Sequence, residues 1–317
     1  MNRTLAIGLV MTCTAALSLA AGPQQVVFER GSAIWIANLD GSKAEKIAEG
    51  SGPSLSPDGT RVAFNTDDSA GTEPVRELAI ADVATKKVTL VKGIPSKNCQ
   101  RALWSPDGKQ ILFTIWTGYG WDIALISPDG SGLRYVRKSQ PPDPKKTPDP
   151  KKPRGPRVDP VWSTSWAMDG KSIFTQDLAY IYQFNLDGVE IRKWKLGSLF
   201  PEGGMNSNSR ITTSPDGKTL LVEVDTNEEV KNMPDWDGPP PSLWTFNLES
   251  GKTTRVTEKG KLAASGCWLD QSHILFNLFS AQEKQPSIYM MEIGKKEMKR
   301  VISDGANPSA KAGAGGG

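Results

Sequence analysis

The chain is a succession of short apolar runs broken by polar turns, and no segment keeps a helical period. One set of runs reads Val26-Val27-Phe28, Val62-Ala63-Phe64, Ile111-Leu112-Phe113, Ser172-Ile173-Phe174, Leu220-Leu221-Val222 and Ile274-Leu275-Phe276. A second set follows, one member after each of the first: Ile34-Trp35-Ile36, Leu78-Ala79-Ile80, Ile123-Ala124-Leu125, Ile181-Tyr182-Gln183-Phe184, Leu243-Trp244-Thr245-Phe246 and Ile288-Tyr289-Met290. Their β-branched and aromatic residues suit pleated, packed strands. A run of mixed charge closes most units, as in Val88-Thr89-Leu90-Val91, Leu133-Arg134-Tyr135-Val136, Thr254-Arg255-Val256 and Lys299-Arg300-Val301.

The polar punctuation repeats too. Ser56-Pro57-Asp58-Gly59 returns as Ser105-Pro106-Asp107-Gly108 and Ser214-Pro215-Asp216-Gly217, and in weaker form as Ala167-Met168-Asp169-Gly170 and Trp268-Leu269-Asp270-Gln271. Pro presets such a turn, Asp accepts main-chain hydrogen bonds, and Gly takes the positive φ. The aspartates at 58, 107, 169, 216 and 270 lie 49, 62, 47 and 54 residues apart, so the unit is about 47 residues and the excess is inserted loop. Four short antiparallel strands repeated six times predict an all-β, six-bladed β-propeller. The N-terminus enters at a second strand. Asn307-Pro308-Ser309-Ala310 matches Gly52-Pro53-Ser54-Leu55 and would supply the missing inner strand of blade one, pairing the two chain ends and removing exposed edges. A frayed tail is the other reading of this segment.

Trp104-Ser105-Pro106-Asp107-Gly108-Lys109-Gln110-Ile111-Leu112-Phe113 resembles, at every position, the WD-like propeller repeat of the TolB family. The resemblance spans nearly the whole chain after its leader and implies the same six-bladed propeller. Similar propellers occur in prolyl oligopeptidases and in some pectate-degrading lyases, so the repeat does not imply one function. The domain that precedes the propeller in TolB has no counterpart here, because blade one starts a few residues after the leader. Trp104 and Trp166 occupy equivalent positions and are expected to pack between blades.

Residues 1–20 have the form of a secretory leader: Arg3, then apolar Leu5 to Val10 and Ala15 to Ala20, then Ser18-Leu19-Ala20 as a small-x-small cleavage pattern, with Ala20-Ala21-Gly22 as an alternative. The competing reading, an uncleaved anchor, needs a longer unbroken apolar stretch than one interrupted by Thr12, Cys13 and Thr14. Residues 21–317 then form a single propeller, with insertions at 138–160 and 225–241 and a flexible tail at 311–317. The first insertion repeats Asp-Pro-Lys-Lys and reads as a solvated loop or a basic arm. The leader places the protein across the inner membrane, periplasmic or extracellular, with no stable membrane span. It is expected to be a monomer.

Thirty-eight basic and 35 acidic residues leave a net charge of +3, which gives no field for nucleic acid. The single histidine, His273, excludes a multi-histidine metal centre, and no Gly-x-Ser-x-Gly elbow accompanies it. No cofactor motif is present, and the repeat aspartates belong to turns. A hydrolase built on two carboxylates remains compatible with the residue types. Cys99 and Cys267 would lie in blades three and six, opposite each other, too far apart for a disulfide, so both are expected to be free.

The binding residues are sought at the end of the propeller that carries both insertions. Arg101 and Arg210, entering inner strands, are expected at the channel mouth, with Trp116, Tyr119, Trp121, Asp225 and Trp236 in the surrounding loops. Aromatic and Arg enrichment suits a protein interface. The expectation is a non-catalytic envelope or secreted protein that binds a protein or peptide partner. The alternatives are a carbohydrate-binding or carbohydrate-active propeller, and a scaffold in a larger assembly. For the arginines, a salt bridge across the funnel is the structural alternative.

Overall fold

The computed structural model describes residues 24–67, 74–118, 120–139, 162–230, 233, 236–283 and 285–311. The leader at 1–20, Tyr119, the Pro/Lys-rich insertion from 140 onward, part of the second insertion and the tail beyond 311 lie outside them. Blade one holds β1 (Gln25–Arg30), β2 (Ala33–Asn38) and β3 (Glu45–Glu49). Blade two holds β4 (Ser51–Leu55), β5 (Arg61–Asn65), β6 (Leu78–Asp82) and β7 (Val88–Leu90). Blade three holds β8 (Cys99–Trp104), β9 (Ile111–Trp116), β10 (Trp121–Ile126) and β11 (Arg134–Arg137). Blade four holds β12 (Trp162–Trp166), β13 (Ser172–Gln176), β14 (Tyr180–Asn185) and β15 (Glu190–Lys195). A four-residue helix, α1 (Leu196–Leu199), leads to blade five: β16 (Gly203–Gly204), β17 (Ile211–Thr213), β18 (Thr219–Thr226), β19 (Pro241–Asn247) and β20 (Thr253–Arg255). Blade six holds β21 (Leu262–Trp268), β22 (His273–Phe279), β23 (Ser287–Glu292) and β24 (Met298–Ile302). The last strand, β25 (Ala306–Ala310), returns to blade one and pairs antiparallel with β1, Val26 facing Ala310. The ring is thus closed by the chain ends, as the match between 307–310 and 52–55 predicts.

The apolar triplets are continuous because each second strand is buried on both faces. Successive side chains point to opposite neighbours, so the six hydrophobic clusters lie between blades. Val62 and Phe64 join Val27, Ile34 and Ile36 of blade one, whereas Ala63 joins Ile111 and Phe113 of blade three. Leu112 turns the other way, onto Trp166, Ile173 and Phe184 of blade four. Trp104 and Trp166 fill the two-three and three-four clusters, as expected. One register differs from the sequence reading. All of β13 from Ser172 to Gln176 is buried, and because Ile173 faces Trp166 the segment equivalent to Ile111-Leu112-Phe113 is Ile173-Phe174-Thr175.

The Ser-Pro-Asp-Gly turns are built alike. In each, the serine hydroxyl donates to the aspartate at 2.6 Å: Ser56 to Asp58, Ser105 to Asp107 and Ser214 to Asp216. The same hydroxyl accepts the amide of Arg61, Gln110 or Thr219 across the hairpin. Gly108 has a φ of 69°, which a side chain would strain. Hydrogen bonds also run between neighbouring inner strands. Ser309 accepts the Leu55 amide and Ser54 accepts the Trp104 amide, each at 3.2 Å, and Thr213 donates to the Trp166 carbonyl at 2.7 Å.

The two ends of the ring differ. One end carries these short turns. The other carries the longer connections 66–77, 91–98, 117–120, 138–161, 196–210, 227–240 and 280–286, and is the loop end. Among the described residues no helix is long and apolar enough to cross a membrane.

Candidate functional site

At the loop end the inner strands of five blades break their register, and only β17 of blade five pairs without a shift among the described strands. In blades two, three, four and six the shifts fall between Ser51 and Ser54, Gln100 and Leu103, Trp162 and Ser165, and Ala264 and Cys267. At each break one residue takes a left-handed conformation: Gly52 (φ 64°), Arg101 (59°), Ser163 (56°) and Ser265 (55°), joined in blade one by Asn307 (51°). Superimposing the repeats puts Arg210 at the sixth position. An extra residue of this kind bends the strand and re-aims its side chain. Of these residues Gly52, Arg101, Ser265 and Asn307 line the central cavity, and Arg210, which stands at the equivalent place in blade five without a left-handed backbone, joins them there.

A second ring lies beside the first. The residue that follows each buried triplet is polar: Glu29, Asn65, Thr114, Gln176, Glu223 and Asn277. The two glutamates have a common task. Glu29 of blade one accepts the Gly52 amide of blade two at 2.5 Å, and Glu223 of blade five accepts the Ser265 amide of blade six at 2.7 Å. In both cases a carboxylate satisfies a main-chain donor freed by the bulge of the next blade. Glu29 also accepts the Asn307 side-chain amide at 2.9 Å, and Ser265 donates to Asn307 at 2.8 Å. Sequence reasoning missed these residues. The signal was present as the polar position after each apolar triplet.

Arg101 and Arg210 enter this network. Arg101 Nη2 donates to the Ser207 carbonyl at 3.2 Å. Arg210 Nη1 donates to the Pro308 carbonyl at 3.0 Å and to that of Ser265 at 3.4 Å. Neither makes the salt bridge across the funnel considered above. Both line a central cavity of about 740 Å³, together with Glu29, Asn65, Thr164 and Glu223. Burial, and then the positive charge of Arg210, pull Arg101 down to about 10, which leaves it a cation at neutral pH. Burial pushes Glu223 up to about 7, against the opposing pull of the Ser265 amide, Arg210 and Arg101. Asp225, two residues on along β18, is raised by burial and held partly in check by the Asn206 side-chain amide at 2.8 Å.

The aromatic candidates separate. Trp116 and Trp121 face each other across the β9–β10 hairpin with ring centroids 5.4 Å apart. Asp122 accepts the amide and the hydroxyl of Ser139, at 2.7 and 2.6 Å, and so ties the outgoing strand to this hairpin. Trp121 reaches a side pocket of about 200 Å³ that Arg101, Gln100 and Ser207 also line. The structure therefore brings Trp121 to the same side pocket as Arg101, with Trp116 packed on the Trp121 ring. Trp236, in the β18–β19 connection, packs instead on Phe279 at the end of β22, 5.4 Å between centroids, and lines neither cavity. Tyr119 lies outside the described residues.

His273 sits at the turn end. Its Nδ1 meets both Asp270, at 3.0 Å, and the Ser272 hydroxyl, at 3.1 Å, while Nε2 faces Glu292 at 3.9 Å. A nucleophilic triad needs serine and aspartate on opposite ring nitrogens, so this arrangement cannot relay a proton from Ser272. Cys99 and Cys267 are both free and buried, in blades three and six. Burial pushes their thiols up, to about 12 and about 11 respectively. Among the described residues no group of His, Cys, Asp and Glu is arranged to hold a metal ion.

No protein-family model matches the sequence, and no curated protein matches it. Solved structures do match in fold. A protein assigned to TolB in Agrobacterium tumefaciens is 15% identical, with a TM-score of 0.58 over 88% of each chain. TolB from Acinetobacter baumannii is also 15% identical, at a TM-score of 0.58 over 91% of this chain and 67% of that one. A chain of the nidogen/laminin complex, 9% identical, gives 0.60 over 91% and 98%. The six-bladed propeller that the repeats predict is the fold these structures share with the chain. At these identities the likeness establishes fold alone.

Proposed function

We propose that the protein is a non-catalytic binding protein of the cell envelope, periplasmic or extracellular, that presents the loop end of its propeller to a protein or peptide partner. The asymmetry of the ring carries this reading. The turn end is made of tight turns whose polar groups already bond within each hairpin. The loop end gathers the longer connections, the Trp116–Trp121 pair and Arg101, which lines a side pocket with Trp121. Large aromatic side chains next to an arginine are the side chains that dominate protein interfaces. The nidogen/laminin match comes from a protein complex and so favours the reading, although only as a likeness of fold. The geometry of His273 favours a non-enzyme, since Ser272 and Asp270 share one ring nitrogen.

The test is capture from envelope extract by immobilised wild type and by a Trp116→Ala/Trp121→Ala variant, with a glycan array run in parallel. A protein captured by the wild type, at least about tenfold weaker on the variant, supports the proposal. Glycan binding that the same two substitutions abolish, with protein capture unaffected, would overturn it in favour of a carbohydrate-binding propeller.

A further inference from the structure

Arg101 and Arg210 of the central cavity feel the charge of Glu223, but among the described residues no carboxylate lies within ion-pair distance of either. Among the described residues the arginine ion pairs are Arg30–Asp304, Arg255–Glu228 and Arg300–Glu283, all away from the cavity. Among the described residues the hydrogen bonds of Arg101 and Arg210 go to main-chain carbonyls. The nearby carboxylates are engaged elsewhere: Glu223 with the Ser265 amide, and Glu29 with Gly52 and Asn307. Arg76 and Lys311 are also on the wall, as is Asp67, so the lining is positive and becomes more so when Glu223 is protonated. A buried charge left uncompensated is costly, and like charges in a low-dielectric space repel. A planar guanidinium fork is suited to an oxyanion.

A second observation points the same way. Asn65 and Thr164 line the cavity and are 3% and 4% exposed, yet Asn65 Nδ2 and Thr164 Oγ1 have no hydrogen-bond partner. Buried polar atoms of this kind are normally satisfied, by protein, water or ligand. A space of about 740 Å³ is the size of a small-molecule site.

We propose that the central cavity binds a small solute whose oxyanion, a carboxylate or a phosphate, lies between Arg101 and Arg210. The solute is distinct from the macromolecular partner of the loop end, and neither proposal depends on the other. Glu223 competes with the bound anion. It is faced by the Ser265 amide, Arg210, Asp225 and Arg101, and its protonation removes the competing charge. Affinity therefore rises as pH falls through about 7.

Calorimetric titration of the full chain with succinate, inorganic phosphate and uncharged succinamide, at constant ionic strength, tests this. Saturable binding of succinate or phosphate is expected, with none of succinamide, and whichever anion binds identifies the chemistry. Arg101→Met is expected to weaken binding about tenfold or more, while Arg101→Lys retains most of it. Succinate should bind several-fold tighter at pH 6.5 than at pH 8 in the wild type, a difference reduced in Glu223→Gln, which binds tightly at both. If neither anion saturates, if succinamide binds as well, or if folded Arg101→Met binds unchanged, the proposal is wrong. Should Arg101→Met fail to fold, the succinamide comparison and the loss of pH dependence in Glu223→Gln decide alone. An adventitious ion only, with phosphate and chloride equally effective, also overturns it.

Discussion

Asp107 is a structural residue because its lone pairs are already engaged. The Ser105 hydroxyl, foremost, and the Lys109 amide hold its carboxyl below the usual range, and burial only partly offsets them. Asp107→Ala removes these bonds and is expected to cost about 1–2 kcal/mol in urea denaturation, with the fold intact. Glu223 behaves in the opposite sense. Its folded pKa of about 7 lies above the ordinary 4.5, so the folded state holds the proton more tightly. Its contribution to stability is fully present below about pH 4.5 and is lost as pH rises through about 7. The melting temperature of the wild type relative to Glu223→Gln should fall between about pH 5 and 7 and level off above about pH 8. A difference that does not vary with pH would show that Glu223 is not raised. The thiols of Cys99 and Cys267 are closed off by burial, so a disulfide-exchange reagent should label neither until the protein is denatured.

Individual strands have different weights. β25 covers the open edge of β1, and its Ser309 also accepts the Leu55 amide of blade two. Removing residues 306–317 exposes that edge and breaks the ring. The expected result is loss of the single cooperative melting transition together with concentration-dependent association, checked by calorimetry and light scattering. A truncated chain that melts like the wild type would rule out the closure. The second strands were legible from their apolar triplets, since a strand buried on both faces must be continuously apolar. Blade four shows the limit. Ser172, Ile173 and Phe174 are buried as read, but the pairing of Ile173 with Trp166 makes Thr175, a polar residue, the equivalent of Phe113, and burial continues to Gln176. The inner-strand bulges were not legible. Glycine and asparagine tolerate a left-handed backbone, so Gly52 and Asn307 carry a weak local cue. Arg101 and Ser163 carry none, and only the strand pairing reveals them.

At the scale of the whole molecule, the repeat period and the turn motif were enough for six blades, because each unit must bury two faces against its neighbours and a closed ring satisfies all of them. The prolines and glycines placed the short turns at one end and therefore the search for a site at the other. What the sequence by itself could not reach was which side chains meet in the channel. Arg101, Arg210, Glu29 and Glu223 come from three blades and sit at unremarkable positions in or beside their strands. They come together because six registers align around one axis. Their chemistry follows from that closure: burial withdraws water from Arg101 and Glu223, and other blades rather than neighbouring residues supply the Ser265 amide and the Pro308 carbonyl. Period and turn chemistry are local and survive in a linear reading. Charge environment is a property of the assembled ring, which only the tertiary structure decides.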